Sequence, residues 1–405
     1  MNGYERHPSW LPWFFYAFFL TGLGLLCLFS VSHSKDLPLI ETVFGKQVIW
    51  LCFGMVFFFL IQRMSISHFA AISYPVYALS LVLLLVVFAF SHQGVHRWIP
   101  FGGVRLQPSE VAKVGVLLVL SHCLAGNKTQ YLSFKRLFGT FLLVLCPVIL
   151  ILKEPDLGTS IVFVVLWLAL ILWAHIHFAV ILMLFVPVLA FVAGFHSVAF
   201  VALLVGLAVT LWFLRLPWLA KMVIWVLSLG SGLMAPQVWS HLAMYQKQRV
   251  LIFLGLQSDP RGAAYQVIQS KLAIGSGGFW GKGLLHGSQT QLRFLPEQHT
   301  DFIFSVLGEE LGFVGVVLLL IVFFLIFIRG TLIAIKLKDP LASFLLAGCV
   351  VILSFQTFVN IAMTIGIAPV TGLPLPFLSY GGSSMCMSWI LMGTIANLTS
   401  QRKMN

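Results

Sequence analysis

Charge is what this sequence has least of. Only 12 of its 405 residues are Asp or Glu, and all charged residues together make up 9%, against 60% hydrophobic residues and a mean hydropathy of +1.01. Soluble domains carry about 25% charged residues, so a soluble globular fold is excluded. Cysteine is scarce as well. Cys27, Cys52, Cys123, Cys146, Cys349 and Cys386 fall in or near apolar stretches without C-x-x-C spacing, which points to packing rather than to zinc or a disulfide framework. No G-x-x-x-x-G-K-[ST] run occurs, so no phosphate-binding P-loop is expected. The basic residues that bring the net charge to +12 are scattered over many loops, and no nucleic-acid partner is expected. Low-complexity linkers, a second soluble domain and a visible internal repeat are also missing; the last lowers the expectation of a secondary carrier.

What the chain has is long apolar runs. A helix needs about 20 apolar residues to cross a bilayer, and such spans are predicted near 11–31, 45–62, 73–91, 109–125, 136–152, 158–174, 176–194, 197–214, 219–236, 302–328, 341–364 and 380–398. Runs such as Phe141–Leu152 and Val316–Ile328 are apolar all round, without the period-two alternation of a membrane barrel. The expectation is an all-α, polytopic transmembrane helical bundle of about 10 to 12 helices, forming one membrane domain over residues 1–405. A large extracytoplasmic loop, 236–301, precedes its last three helices. The first span follows Arg6 without a small-residue cleavage site and reads as a retained helix rather than a signal peptide.

The distribution of Lys and Arg orients the bundle. Arg6, Arg63, Lys128, Lys135, Arg136, Arg215, Lys221, Arg329, Lys336, Lys338, Arg402 and Lys403 gather on one side, while Lys35, Lys46, Arg97, Arg105 and Lys153 occupy the short loops of the other. The positive-inside rule then puts both termini in the cytoplasm and the long polar loop outside.

Polar groups concentrate on that outer side. Four of the twelve acids, Glu297, Asp301, Glu309 and Glu310, stand at the end of the loop and just beyond it. Asp301 directly precedes an apolar run and adjoins His299 and Thr300. A partly desolvated carboxylate at a membrane boundary can act as a base, and Asp is equally suited to cap the following helix; the two roles are compatible. Of Glu309 and Glu310, one is expected to face the bundle interior, where an ionisable residue counts as functional. Gly275, Gly277, Gly278, Gly281 and Gly283 suit a loop that approaches a bulky polar ligand closely, and tight turns alone would also require them. In QPSEVAK, Glu110 and Lys113 fall three apart on one helical face, as a structural ion pair or as the polar floor of a cavity. In KEPDLGTS, Asp156 can cap the next helix and Gly158 permits close helix approach. The uncharged stretch PVTGLPLPFLSYGGSS, residues 369–384, cannot be a regular helix and is expected to line the same outward opening, although a re-entrant turn would look the same.

These motifs carry a resemblance. YQKQRV, QSKLAIGSGGFWGKGLLHGSQTQLRFLPEQHTDFIFSVLGEELGF, QPSEVAK, PDLGTS and PLPFLSYGGSS run in order from about Arg97 to Ser384. They resemble the SEDS family (shape, elongation, division and sporulation proteins), and its RodA-like elongation branch more than its division branch. The resemblance implies a peptidoglycan glycosyltransferase that polymerises lipid II on the outer face of the cytoplasmic membrane. It further implies partnership with a class B penicillin-binding protein transpeptidase and other elongation-complex proteins. It maps the family's essential loop aspartate onto Asp301 through HTDF, and its charged residues onto Glu110, Lys113 and Arg249. One departure is expected: residues 158–236 hold about two more spans, at about 20 residues each, than the family's usual ten helices.

On this reading Asp301 takes the proton of the acceptor's GlcNAc 4-hydroxyl as that oxygen attacks the donor's anomeric carbon and the lipid diphosphate departs. Arg249, Arg105, Lys113 and Lys271 are the candidates to hold the diphosphate charge, with a divalent cation (Mg²⁺ or Mn²⁺) as a further aid and no other cofactor. Glu297, His299 and Ser379 complete the expected substrate contacts, and no metal-ligand spacing stands out. The rival readings are a lipid II flippase, which would need a polar path to the cytoplasmic face, and a non-catalytic scaffold for the transpeptidase.

Overall fold

A computed structural model describes residues 10–33, 38, 41–90, 97–101, 104–126, 134–174, 178–242, 244–253, 256, 265–292 and 294–401. All twelve predicted spans are helices. They are α1 (Leu11–Ser32), α2 (Val43–Ile61), α3 (Ile66–Val86), α4 (Pro108–Ala125), α5 (Phe134–Lys153), α6 (Leu157–Trp173), α7 (Phe178–Ala193), α8 (Ser197–Phe213), α9 (Trp218–His241), α13 (Ile303–Lys336), α14 (Pro340–Thr364) and α15 (Gly382–Ser400). Three more, α10 (Met244–Phe253), α11 (Tyr265–Ser276) and α12 (Ser288–Gln291), lie in the polar stretch. That stretch begins later than Pro236, because α9 continues through this proline to His241.

The helices fall into two compact units. Residues 1–128, 134–170 and 259–405 form the first and 129–133 and 171–258 the second. Within the first, α3 packs on α4, α2 on α15, α13 on α14 and α11 on α13. Small residues bring backbones together there, as expected where lipid gives helices no hydrophobic drive to associate. A Cβ on Gly24 of α1 would lie 2.6 Å from Cα of Leu378, so α1 runs directly against the Pro/Gly stretch. In the second unit α7 packs on α8 and α9 around Leu207, Leu211 and Ile224.

One element departs from the all-helical expectation. Ile99–Phe101 and Val104–Leu106 form an antiparallel hairpin, β1 and β2, with Arg105 opposite Pro100. The hairpin is tied to α15, where the Ser383 hydroxyl accepts the Gln107 N–H (3.1 Å) and donates to the Arg105 carbonyl (3.4 Å).

Helix α13 is broken at Gly312, whose φ of 64° and ψ of −162° are not helical. The glycine-rich loop fills the break. Phe313 N–H donates to Gly278 O (3.0 Å), Lys282 N–H to Glu309 O (3.0 Å) and Gly283 N–H to Glu310 O (3.0 Å). A Cβ on Gly277 would meet Gly308 O at 2.0 Å, and one on Gly281 would meet Glu310 O at 2.1 Å. These two glycines are therefore required by backbone-to-backbone packing against α13. Gly278, Gly281 and Gly283 also have φ of +59°, +83° and +90°, the region that favours glycine.

Candidate active site

Asp301 ends a turn that is held by its backbone. The turn opens at Glu297, whose φ is 52° and whose carbonyl accepts the N–H groups of Thr300 (3.2 Å), Asp301 (3.1 Å) and Phe302 (3.4 Å). The cap position of α13 is Phe302, with no side-chain cap, so Asp301 is not the N-cap of the helix that follows it. Its carboxylate faces Gly372, where an added Cβ would stand 3.6 Å from Oδ2, and Gly372 itself has φ +75°. Asp301 is half-buried.

The Pro/Gly stretch grips this turn. Residues 369–381 are non-helical, and 382–384 already belong to α15. The Ser379 hydroxyl donates to Thr300 O (2.6 Å) and accepts the Leu375 N–H (2.8 Å), and Tyr380 N–H donates to His299 O (2.8 Å). The Tyr380 and His299 rings lie 5.8 Å apart. Burial raises the Tyr380 phenol, and the nearby Arg105 guanidinium opposes that shift, so exposed Arg105 belongs to this cluster. Two polar residues of the spans complete the frame. Asn360 Nδ2 of α14 donates to Asp301 O (3.0 Å) and Leu373 O (2.8 Å). Gln47 of α2 donates from Nε2 to Ser379 O (3.1 Å) and accepts the Gly381 N–H at Oε1 (3.2 Å). Both are fully buried.

The remaining predicted residues separate into supports and open charges. Glu110 and Lys113 form a buried ion pair at 2.7 Å within α4, which realises the pairing their spacing allowed. Asp156 caps α6, accepting the Thr159 N–H (3.1 Å) and hydroxyl (2.9 Å). Gly158 lets the first turn of α6 meet the Pro/Gly stretch rather than another helix, since its Cβ would lie 2.6 Å from Thr371 O. Lys271 is exposed on α11, its ammonium 2.5 Å from where a Cβ on Gly366 would be. The exposed Glu297 carboxylate accepts the Thr300 hydroxyl at 3.2 Å. Arg249 is on α10 in the second unit, and its side chain lies outside the described residues.

Glu309 and Glu310 are both buried, at 0% and 1% exposure. The Glu309 carboxylate takes five donors: Lys282 Nζ (2.8 Å), the Ser288 hydroxyl (3.3 Å), the N–H groups of Gln289 (2.9 Å) and Thr290 (3.0 Å), and the Thr290 hydroxyl (2.8 Å). Glu310 accepts the Ser30 hydroxyl of α1, which also receives Gln291 Nε2 (3.1 Å). The pair thus fastens α12 to α13 and α1, and Gln298 Nε2, donating to Thr290 O (3.3 Å), joins α12 to the Asp301 turn.

Sequence reasoning missed Asn360, Gln47, Tyr380 and the pair Arg97 and Glu154. The first two carried a readable signal, a polar side chain inside an apolar span. Arg97 Nε donates to Glu154 O (3.1 Å) and its Nη2 to Pro155 O. The Glu154 carboxyl is buried, with Oε1 unpaired. Burial first, then the Asp156 charge, push it up to about 8, with Arg97 opposing. Among the described residues no group of three or more His, Cys, Asp or Glu is placed to hold a metal ion.

The chain matches the family model of the FtsW, RodA and SpoVE cell cycle proteins over residues 11–206 and 196–404. It is 35% identical over 387 residues to the peptidoglycan glycosyltransferase MrdB of Escherichia coli K12, covering 94% of this chain and 90% of that one. It is 31% identical to the peptidoglycan glycosyltransferase RodA of Treponema pallidum, covering 95% of each. Among solved structures, a peptidoglycan synthase complex that coordinates polymerisation and crosslinking contains a chain with TM-score 0.71 and 30% identity, covering 97% of this chain and 98% of that one. The rod shape determining protein RodA of Thermus thermophilus matches with TM-score 0.62 and 26% identity, covering 97% of both.

Proposed function

This chain belongs to the FtsW/RodA/SpoVE family of cell cycle proteins, and from that we propose that it polymerises lipid II with Asp301 as the general base. It is a multi-pass membrane protein and a peptidoglycan glycosyltransferase of cell-wall synthesis. The observation that supports the finer reading is the Asp301 turn, whose backbone is fastened by Asn360, Ser379 and Tyr380 while its carboxylate faces a glycine. A base must be held still to remove a proton at the moment of attack.

The 4-oxygen of the acceptor's GlcNAc attacks the anomeric carbon of the donor, and its proton passes to the Asp301 carboxylate. A C–O bond forms there as the bond from the anomeric carbon to the lipid diphosphate breaks, and the diphosphate leaves with the electron pair. A diphosphate needs no general acid, so one carboxylate suffices. Exposed Arg105 and Lys271 are suited to the leaving charge; Lys113, bound to Glu110, is a support, and Arg249 is a candidate on residue type alone. A divalent cation carried in by the diphosphate would need no preformed protein cluster.

We place the reaction on the outer face of the cytoplasmic membrane, with both termini inside, from the distribution of Lys and Arg. A class B penicillin-binding protein and other elongation proteins are the proposed partners. Detergent micelles test the enzyme against the flippase, because a transporter has no two compartments to connect there. Purified protein with its transpeptidase should convert fluorescent lipid II into glycan strands in micelles, and Asp301→Asn should not. Absence of strands from both proteins would refute the reading.

A further inference from the structure

We propose that Phe279, Trp280 and Phe313 form an aromatic anchor that seats the glycine-rich loop in the interfacial layer of the bilayer and marks where α13 enters the hydrocarbon. The three side chains are 58%, 77% and 57% exposed. They are nevertheless ordered against each other: Phe279 stacks on Phe313 with centroids 5.7 Å apart and meets Trp280 edge-on at 5.1 Å. The backbone fixes the cluster, with Val314 N–H donating to Phe279 O at 3.2 Å, in addition to the bond from Phe313 to Gly278.

The occupant of this surface follows from α13. Residues 303–310 are all buried in protein, and outward apolar exposure begins only at Phe313, continuing through Leu318, Ile321, Phe324 and Ile328. No charge interrupts Phe313–Ile328. These sixteen residues rise about 24 Å at about 1.5 Å each, about 6 Å less than the hydrocarbon thickness of about 30 Å, a mismatch that a bilayer meets by thinning locally. At the far end Arg329, the first charge after Glu310 in α13, donates to the Tyr16 hydroxyl (2.8 Å) and lies over the Trp13 and Tyr16 rings of α1, which ends the uncharged run. A span of about 20 residues starting at Ile303 would instead end near Val322, leaving the exposed Phe324 and Ile328 in water while the protein-buried residues 303–310 present no apolar surface to lipid. The lipid-facing surface of α13 therefore continues without a gap onto Phe279 and Trp280. Lys282, two residues further on, turns its ammonium to Glu309. An indole beside an apolar face and a cation behind it suit the membrane–water boundary.

The anchor rests on packing and span length and stands whichever residue is the base. It is tested with the full chain in lipid nanodiscs. The Trp280 signal, taken as wild type minus Trp280→Phe, should be quenched more by lipids brominated near the headgroup than by lipids brominated near the chain end. A nitroxide on Trp280→Cys, in a chain with its native cysteines replaced, should be more accessible to oxygen than to a water-soluble nickel complex. Phe324→Cys and Lys338→Cys serve as lipid and water controls. An unquenched signal, or a label as nickel-accessible as that at position 338, would overturn the proposal. So would a label shielded only when a partner protein is added, which would make the surface a protein interface.

Discussion

Asn360 is a buried span residue that fastens the backbone of the Asp301 turn. Its amide is the donor for both Asp301 O and Leu373 O, and leaving buried carbonyls unpaired costs about 1–3 kcal/mol. Asn360→Leu should lower the thermal unfolding midpoint accordingly and slow polymerisation; Asn360→Asp, which keeps the volume but loses the donor, should rescue neither, as differential scanning in detergent and a strand assay would show. Glu154 makes a pH-dependent case. Its folded pKa is raised from 4.5 to about 8, so the folded state binds its proton more tightly than the unfolded chain. The associated stability is present below about 4.5 and is lost as pH rises through about 8. Glu154→Gln should flatten the decline in unfolding temperature between these limits, and an unchanged pH profile would refute the assignment. At this scale Asp301 was legible as a carboxylate where a polar loop meets an apolar run. Its supports were not, because Ser379 and Tyr380 reach it from about 80 residues away in sequence, and local patterns carry no such pairing.

The elements that hydropathy could reveal were all legible as helices, although among the described residues only eight are long and apolar enough to cross a membrane. Those it could not reveal lie in polar sequence. α10, α11 and α12 have no long apolar run, and β1 and β2 are three residues each, too short for a period-two signal. Pro236 misled the boundary of α9 because a proline tolerated within a membrane helix looks like a helix end. The loop's glycines were legible as a sign of close approach or tight turns, while their packing against the backbone of α13 was not. That contrast is measurable. A Cβ at Gly312 would meet Gly281 N at 2.2 Å in a left-handed conformation, so Gly312→Ala should destabilise by more than about 1–2 kcal/mol. Gly275 lies in α11 with nothing within 4 Å of its Cβ position, and Gly275→Ala should be neutral or stabilise by up to about 1 kcal/mol. Unfolding midpoints of the two variants check both signs.

For the whole molecule, low charge and long apolar spans dictate a membrane bundle, and four of its twelve acids are grouped around one turn and the helix that follows it. Glu309 and Glu310 fasten that region from behind, the Pro/Gly stretch and the Arg105 hairpin adjoin it in front, and Asp301 is left with its carboxylate toward Gly372. The central claim is that Asp301 contributes to the chemical step rather than to substrate capture. The decisive measurement compares wild type with Asp301→Asn in both the rate of strand formation from lipid II and the affinity for lipid II, each with the transpeptidase bound. The account predicts a rate lower by about 10²–10⁴ with affinity unchanged. A variant that polymerises at the wild-type rate, or one whose defect is entirely a loss of lipid II binding, would contradict it.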